Sequence, residues 1–269
     1  MARMSVSFFP PSLFRTAELE LFHPGDTPPM FQQNNPCYER PAKTLILLHG
    51  YSGGKTDWML NSPIQDLAAR YNLAVACPAG ENSFYLNQKG TGRAFGDYIG
   101  RDLPQFLRDT FGLAKNSEDT LIGGYSMGGF GALHAGLSHP ETFGHIIALS
   151  SALIVHEVAQ MTPGTGNHMA DYDYYAATFG EPGELLASKN NPETLVRERK
   201  EEGKAIPGVF MACGSEDFLI EPNRAFHQFL MEEQVPVTWH ESPGIHDFVF
   251  WNKWIEPGIR WALGLPEEK

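Results

Sequence analysis

The five residues Gly124-Tyr125-Ser126-Met127-Gly128 place a serine between glycines two positions before it and two after it. A serine hydroxyl attacks a carbonyl efficiently only when a base takes its proton and hydrogen-bond donors meet the charge that develops on oxygen. The two glycines have a steric purpose. A sharp strand-to-helix turn lifts the hydroxyl off a sheet, and it leaves almost no room for side chains at those positions. The flanks agree with such a turn. An apolar run, Thr120 to Tyr125, precedes the serine, and a small-residue stretch, Gly128 to Gly136, follows it as a helix would. That helix would aim its N-terminal N–H groups and dipole at a tetrahedral oxyanion. The bland alternative is a glycine-rich turn with a solvent-exposed serine.

A second oxyanion donor is expected from the loop after an earlier strand. Residues 45–58, LILLHGYSGGKTDW, read as a strand followed by His49-Gly50-Tyr51-Ser52-Gly53-Gly54. The backbone N–H of Tyr51, with that of Met127, is the candidate oxyanion hole. The same loop ends in Gly54-Lys55-Thr56 as a phosphate loop would, but His49 stands where that motif requires its first glycine. His49 itself reads as a structural histidine behind the loop.

The acid and the base must come from later strand ends, acid first. The run GVFMACGS (208–215) is the last strong apolar strand, and it delivers Glu216 and Asp217. After PVTWHE (236–241), the loop SPGIH offers His246 just before a helix. Ten histidines are present, so the choice needs argument. His23 and His49 precede the serine, while His134, His139 and His145 lie in or beside the helix after it. His156 and His168 fall in a long excursion, His227 lies within a helix, and His240 belongs to a strand. His246 is therefore the candidate base, with His240 as its rival, and Asp217 the candidate acid, with Glu216 as its rival.

These residues need a scaffold, and the apolar periodicity supplies one. Short continuous runs at 44–50, 73–80, 120–126, 145–151 and 208–215 end in Gly, Pro or Ser and read as buried, largely parallel strands. AELELF (17–22) alternates like a half-exposed strand, and 236–241 is a shorter one. Helical patterns fall between them, at about 98–111 with Pro104 near its start or kinking it, and at about 222–234. This alternation predicts a doubly wound α/β sheet. One domain spanning 1–269 is expected. Residues 152–206 show no clear strand and are too long for a connection, so they are expected to form a lid or cap with some helix of its own.

Composition narrows the partners. The chain has 269 residues, 42% apolar and 19% charged, as a soluble enzyme does. A net charge of −12 without a Lys/Arg cluster argues against nucleic acid as a partner. No run of about 18 apolar residues predicts a membrane span, and the N-terminus lacks a signal-peptide pattern, so a cytoplasmic location is expected. Cys37, Cys77 and Cys213 show no metal-site spacing. Neither a cofactor nor a metal is called for, the partner is a small-molecule ester, and the sequence sets no oligomeric state.

GYSMGGFGAL, LLHGYSGGKTDW, CGSEDF and PGIHDFVFW together resemble the esterase D-like group, above all its tributyrin-esterase and feruloyl-esterase members. FGDYIGRDLPQF (95–106) looks like that group's helix before the nucleophile strand, proline included. The resemblance runs from about residue 15 to 262 and is loosest over 152–206. It implies an α/β-hydrolase fold and metal-independent hydrolysis of short-chain acyl or hydroxycinnamoyl esters, including acylated sugars. Acyl transfer and thioester hydrolysis, as in S-formylglutathione hydrolases, are alternatives on the same scaffold; a non-catalytic binding protein is the remote one. Where the group often carries Gly-His-Asp-Trp, this chain has Ile245-His246-Asp247-Phe248, which alters the pocket wall beside the base. Candidate pocket residues are Trp58, Phe248 and three tyrosines of the excursion, Tyr172, Tyr174 and Tyr175, whose rings can line an acyl or sugar site.

Overall fold

Strand order decides where a site can form. The computed structural model describes residues 1–266. Eight strands build one sheet: β1 (Ala2–Phe8), β2 (Ala17–His23), β3 (Lys43–Leu48), β4 (Leu73–Pro78), β5 (Thr120–Tyr125), β6 (His145–Leu149), β7 (Gly208–Gly214) and β8 (Val237–Ser242). Their spatial order is β1-β2-β4-β3-β5-β6-β7-β8. The pairs from β4 through β3 to β8 are parallel, and β1 and β2 add an antiparallel edge. The chain winds outward from β3 to β4, then returns to place β5 on the other side of β3. The order therefore reverses between β3 and β5, which is where an open α/β sheet leaves a crevice at its carboxyl ends. Leu48, the last residue of β3, pairs with Gly124 of β5, so the Tyr51 loop and Ser126 leave the sheet side by side.

Among the described residues there are seven helices of seven residues or more: α1 (Ile64–Arg70), α2 (Leu103–Phe111), α3 (Met127–Ser138), α4 (Tyr172–Phe179), α5 (Pro192–Glu201), α6 (Ile220–Glu232) and α7 (Phe248–Ala262). α1 and α7 bury Ile64, Leu67, Trp251, Ile255 and Ile259 against one face. α2, α3 and α6 bury Leu103, Leu107, Phe130, Leu133, Phe226 and Leu230 on the other. Burial on both faces explains why β3 to β7 read as unbroken apolar runs. Pro104 is the second residue of α2, directly after a π-helical turn at Tyr98–Asp102, so the helix widens where the proline cannot donate. Together these elements make the α/β-hydrolase fold.

β1 lies outside the strands expected from the sequence. Its alternating Met4, Val6 and Phe8 pack partly buried against the core, while the residues between them face outward at the sheet edge. Residues 152–206 form a helical excursion between β6 and β7, built from a short turn at Val155–Val158, α4, a 3-10 turn at Pro182–Ala187 and α5. The three cysteines are free and buried, and burial pushes the Cys213 thiol up to about 12. Among the described residues no helix is long and apolar enough to cross a membrane.

Candidate active site

Ser126 sits between β5 and α3 with φ of 54°, in the left-handed region that non-glycine residues rarely occupy. Such strain persists only where the surroundings enforce it. Here the Ser126 N–H donates to Leu149 O at 2.9 Å, and its carbonyl accepts from Ala152 and Phe130 at 2.9 and 3.1 Å. The flanking glycines are required by contact. A Cβ on Gly124 would fall on the Gly128 carbonyl, and one on Gly128 would strike the Leu48 and His49 carbonyls. Met127 opens α3 and is fully buried.

Asp217 and His246 come together from the ends of β7 and β8. His246 Nδ1 lies 2.8 Å from Asp217 Oδ2 and 3.0 Å from Oδ1. The Asp217 side chain has no solvent exposure and that of His246 has 17%. Burial alone would raise the Asp217 carboxyl, but the hydrogen bond and charge of His246 and the N–H of Leu219 outweigh it, holding the group below its ordinary value. An ionised carboxylate only accepts, so Nδ1 donates to it, leaving Nε2 as the ring nitrogen free of that bond. Trp251 meets the imidazole edge-on at 5.1 Å, and Phe218 lies 4.6 Å from it.

The rivals sit elsewhere. His240 lies in β8, stacked on Trp254 at 4.4 Å. Glu216 is exposed, but it is more than a solvated neighbour. Its Oε2 accepts from Gly244 N–H at 2.6 Å, and its own N–H donates to Gly244 O at 3.1 Å, which ties the loop bearing His246 to the loop bearing Asp217. His49 is buried between loops. Its Nε2 accepts from Gly80 N–H at 2.8 Å and its Nδ1 donates to Gly50 O at 2.7 Å, while burial lowers its pKa.

Tyr51 and Met127 share with Ser126 the wall of a cavity of about 720 Å³. Among the described residues neither of their amides donates to a protein acceptor. The rest of the wall is mainly apolar, with Phe84, Leu153, Ile154, Phe218, Leu219 and Phe226 prominent. A polar end carries Asn167, Glu157 and the His156–Glu193 pair, joined at 2.8 Å. Phe218, directly after Asp217, is a wall residue the sequence reading did not single out, and it is 63% exposed.

The expected pocket residues divide. Tyr175 lies on the wall, its hydroxyl donating to Asn167 Oδ1 at 3.1 Å. Tyr174 does not, being about 100° around the helix from Tyr175, and Tyr172, on the same face one turn earlier, is the first residue of α4 and stops short of the cavity. The Tyr172 hydroxyl donates to Glu181 at 3.0 Å, and that of Tyr174 to Asn82 O at 2.6 Å. Trp58 is off the cavity too, buried with its indole N–H donating to Leu48 O at 2.9 Å. Phe248 packs against Trp58, Tyr125 and Trp251 behind the site rather than lining it.

Tyrosines on adjacent positions should therefore differ in effect. Tyr175→Ala is expected to shift the ratio of kcat/KM between acetyl and feruloyl esters by about 1–3 kcal/mol. Tyr172→Ala should leave that ratio unchanged. Steady-state kinetics on both esters checks the pair, and equal shifts in the two variants would remove Tyr175 from the specificity argument.

Known proteins place the chain in a family. Residues 27–261 match the family described as "Putative esterase". An acetyl esterase of Caldicellulosiruptor saccharolyticus is 41% identical over 261 residues, covering 97% of this chain and 98% of that protein. Among solved structures, the fluorophosphonate-binding serine hydrolase FphF of Staphylococcus aureus superposes with a TM-score of 0.83 at 27% identity, covering 97% of this chain and 98% of that one. The S-formylglutathione hydrolase FrmB of the same organism gives 0.81 at 26% identity, again over 97% and 98%. With its sheet, its elbow and its sequence all in agreement, this chain belongs to the esterase family.

Proposed function

We propose that the protein is a serine carboxylesterase acting on short-chain acyl esters, acetyl esters foremost, through Ser126, His246 and Asp217. Ser126 Oγ attacks the ester carbonyl while His246 Nε2 takes its proton. The imidazolium then protonates the leaving alcohol, and water repeats the sequence on the acyl-enzyme. Asp217 holds the ring in the productive tautomer and steadies its positive charge. The Tyr51 and Met127 N–H groups receive the oxyanion, each at a loop or helix start whose dipoles are already oriented and need no reorganisation. The observation that carries this reading is the hydrogen-bonded pair of buried Asp217 and part-buried His246, packed against Phe218 of the cavity that Ser126 lines.

The likeness to an acetyl esterase favours a small acyl group. The cavity is far larger than an acetyl group needs, at about 720 Å³, which supports a bulky alcohol such as an acylated sugar, or a hydroxycinnamoyl chain. Kinetics on acetyl, butyryl, octanoyl, feruloyl and sugar-acetate esters tests the assignment, with S-formylglutathione alongside. The expected result is the highest kcat/KM on acetyl or butyryl esters. The likeness to FrmB supports one competing outcome, in which the thioester exceeds every oxygen ester by about a hundredfold or more.

A further inference from the structure

The proposed oxyanion donor Tyr51 lies between two residues that are tied to a neighbouring loop. On one side, His49 Nε2 accepts from Gly80 N–H at 2.8 Å, and His49 O accepts from the Tyr85 hydroxyl at 3.0 Å. On the other, Ser52 has φ of 62°, and its N–H donates to Asn82 Oδ1 at 2.8 Å. The loop supplying these partners, residues 80–85, is itself tightly wound. Glu81, Phe84 and Tyr85 all have positive φ, and Ser83 Oγ donates to Gly80 O at 2.6 Å. Ser52 is the third residue of a turn that Gly53 N–H closes on Gly50 O at 3.1 Å, a position where a left-handed backbone is normal for glycine and strained for serine. The Asn82 carboxamide holds the Ser52 N–H from outside that turn, steadying the peptide after Tyr51 and, through the turn, the Gly50–Tyr51 peptide that carries the Tyr51 N–H.

The excursion between β6 and β7 then reaches the same point. The Tyr174 hydroxyl on α4 donates to Asn82 O at 2.6 Å, and its ring meets the Tyr51 ring edge-on at 5.8 Å. Tyr174 therefore grips both the anchor and the anchored residue. Its neighbour Tyr175 faces the cavity, so one helix touches both the substrate wall and the oxyanion loop. We infer that Asn82 and Tyr174 are positioning residues that hold the Tyr51 N–H in register for the oxyanion, making the excursion part of the catalytic scaffold as well as a pocket wall. This inference rests on the serine-esterase reading above. Its energetic logic is that an oxyanion donor works only within about 2.7–3.1 Å of the developing charge, and a displacement of about 1 Å can cost on the order of a hundredfold.

The test uses Asn82→Ala, Tyr174→Phe and, as a control on the same helix, Tyr172→Phe. Each is measured for kcat, KM, thermal unfolding and inhibition by a trifluoromethyl ketone, whose tetrahedral adduct with serine carries an oxyanion. Asn82→Ala is expected to lower kcat about 10- to 100-fold with KM within about threefold, on the scale of losing part of one donor. Tyr174→Phe should lower it about three- to tenfold through the same loop. The ketone's affinity should weaken in parallel with kcat/KM, and the double variant should lose less than the product of the single effects. Tyr172→Phe should match the parent protein. Should Asn82→Ala fail to fold, Tyr174→Phe alone carries the test, because it removes one hydroxyl and keeps the ring. Full kcat in folded Tyr174→Phe, or losses confined to KM with the ketone's affinity unchanged, would overturn the inference. Failure of the underlying reading looks different: there Ser126→Ala itself would remain active.

Discussion

Ser126→Ala is expected to lower kcat at least about a thousandfold, because it removes the attacking oxygen and nothing else in the site. The backbone at this position is held by bonds that alanine retains, from the N–H to Leu149 O and from Ala152 and Phe130 to the carbonyl. The variant should therefore keep its melting temperature within about 3 °C, a margin of about 1 kcal/mol for a domain of this size. A residual rate above the uncatalysed one is still expected, since the amides of Tyr51 and Met127 remain. Circular dichroism melting beside ester kinetics checks both parts. An active Ser126→Ala enzyme would end the mechanism.

Asp217→Asn should cost about 10³–10⁴-fold in kcat, although it changes one atom. Asp217 now accepts from His246 Nδ1 and from Leu219 N–H. Asparagine can turn its amide NH₂ toward Nδ1, which puts the ring proton on Nε2 and leaves no base for the serine. Glu216→Gln is expected to cost less than about tenfold, since a glutamine oxygen can still accept from Gly244 N–H as Glu216 now does. Reversal of that order would mean that the catalytic carboxylate is Glu216. Stability carries a second signature. The folded Asp217 carboxyl is held below the 3.8 of a free one, so the stability it adds is complete above that pH and is lost as pH falls through the folded value. Acid unfolding of Asp217→Asn should accordingly be less steep below about pH 4 than that of the parent.

Much of this was legible because period and punctuation coincide with function. Runs that end in glycine or serine mark β3, β5 and β7, whose carboxyl ends carry the Tyr51 loop, Ser126 and Asp217. His246 could be separated from His240 because one lies in the loop past the strand and the other within the strand itself. The misses have physical causes. β1 is an edge strand whose alternate residues face outward, so Met4, Val6 and Phe8 form a weak signal in a stretch rich in polar neighbours. Trp58 and Phe248 are aromatic and close to the site in sequence, yet they pack behind it, a distinction set by side-chain direction rather than by position. Of three tyrosines within four residues of α4, Tyr172 and Tyr175 share a face and Tyr174 lies off it, and only the docking of that helix decides which lines the cavity. The loop at 80–85 has no period at all, because its order comes from left-handed residues and hydrogen bonds to His49 and Ser52.

The central claim is that Ser126 is the activated nucleophile, and covalent labelling tests it most directly. The native protein, treated with a fluorophosphonate and digested, should yield one modified peptide in the mass spectrum. That peptide should contain Ser126, labelling should slow in the presence of a short-chain ester, and the adduct should be absent from Ser126→Ala. An enzyme that hydrolyses esters yet labels at another residue, or takes up no phosphonate while active, would contradict the assignment.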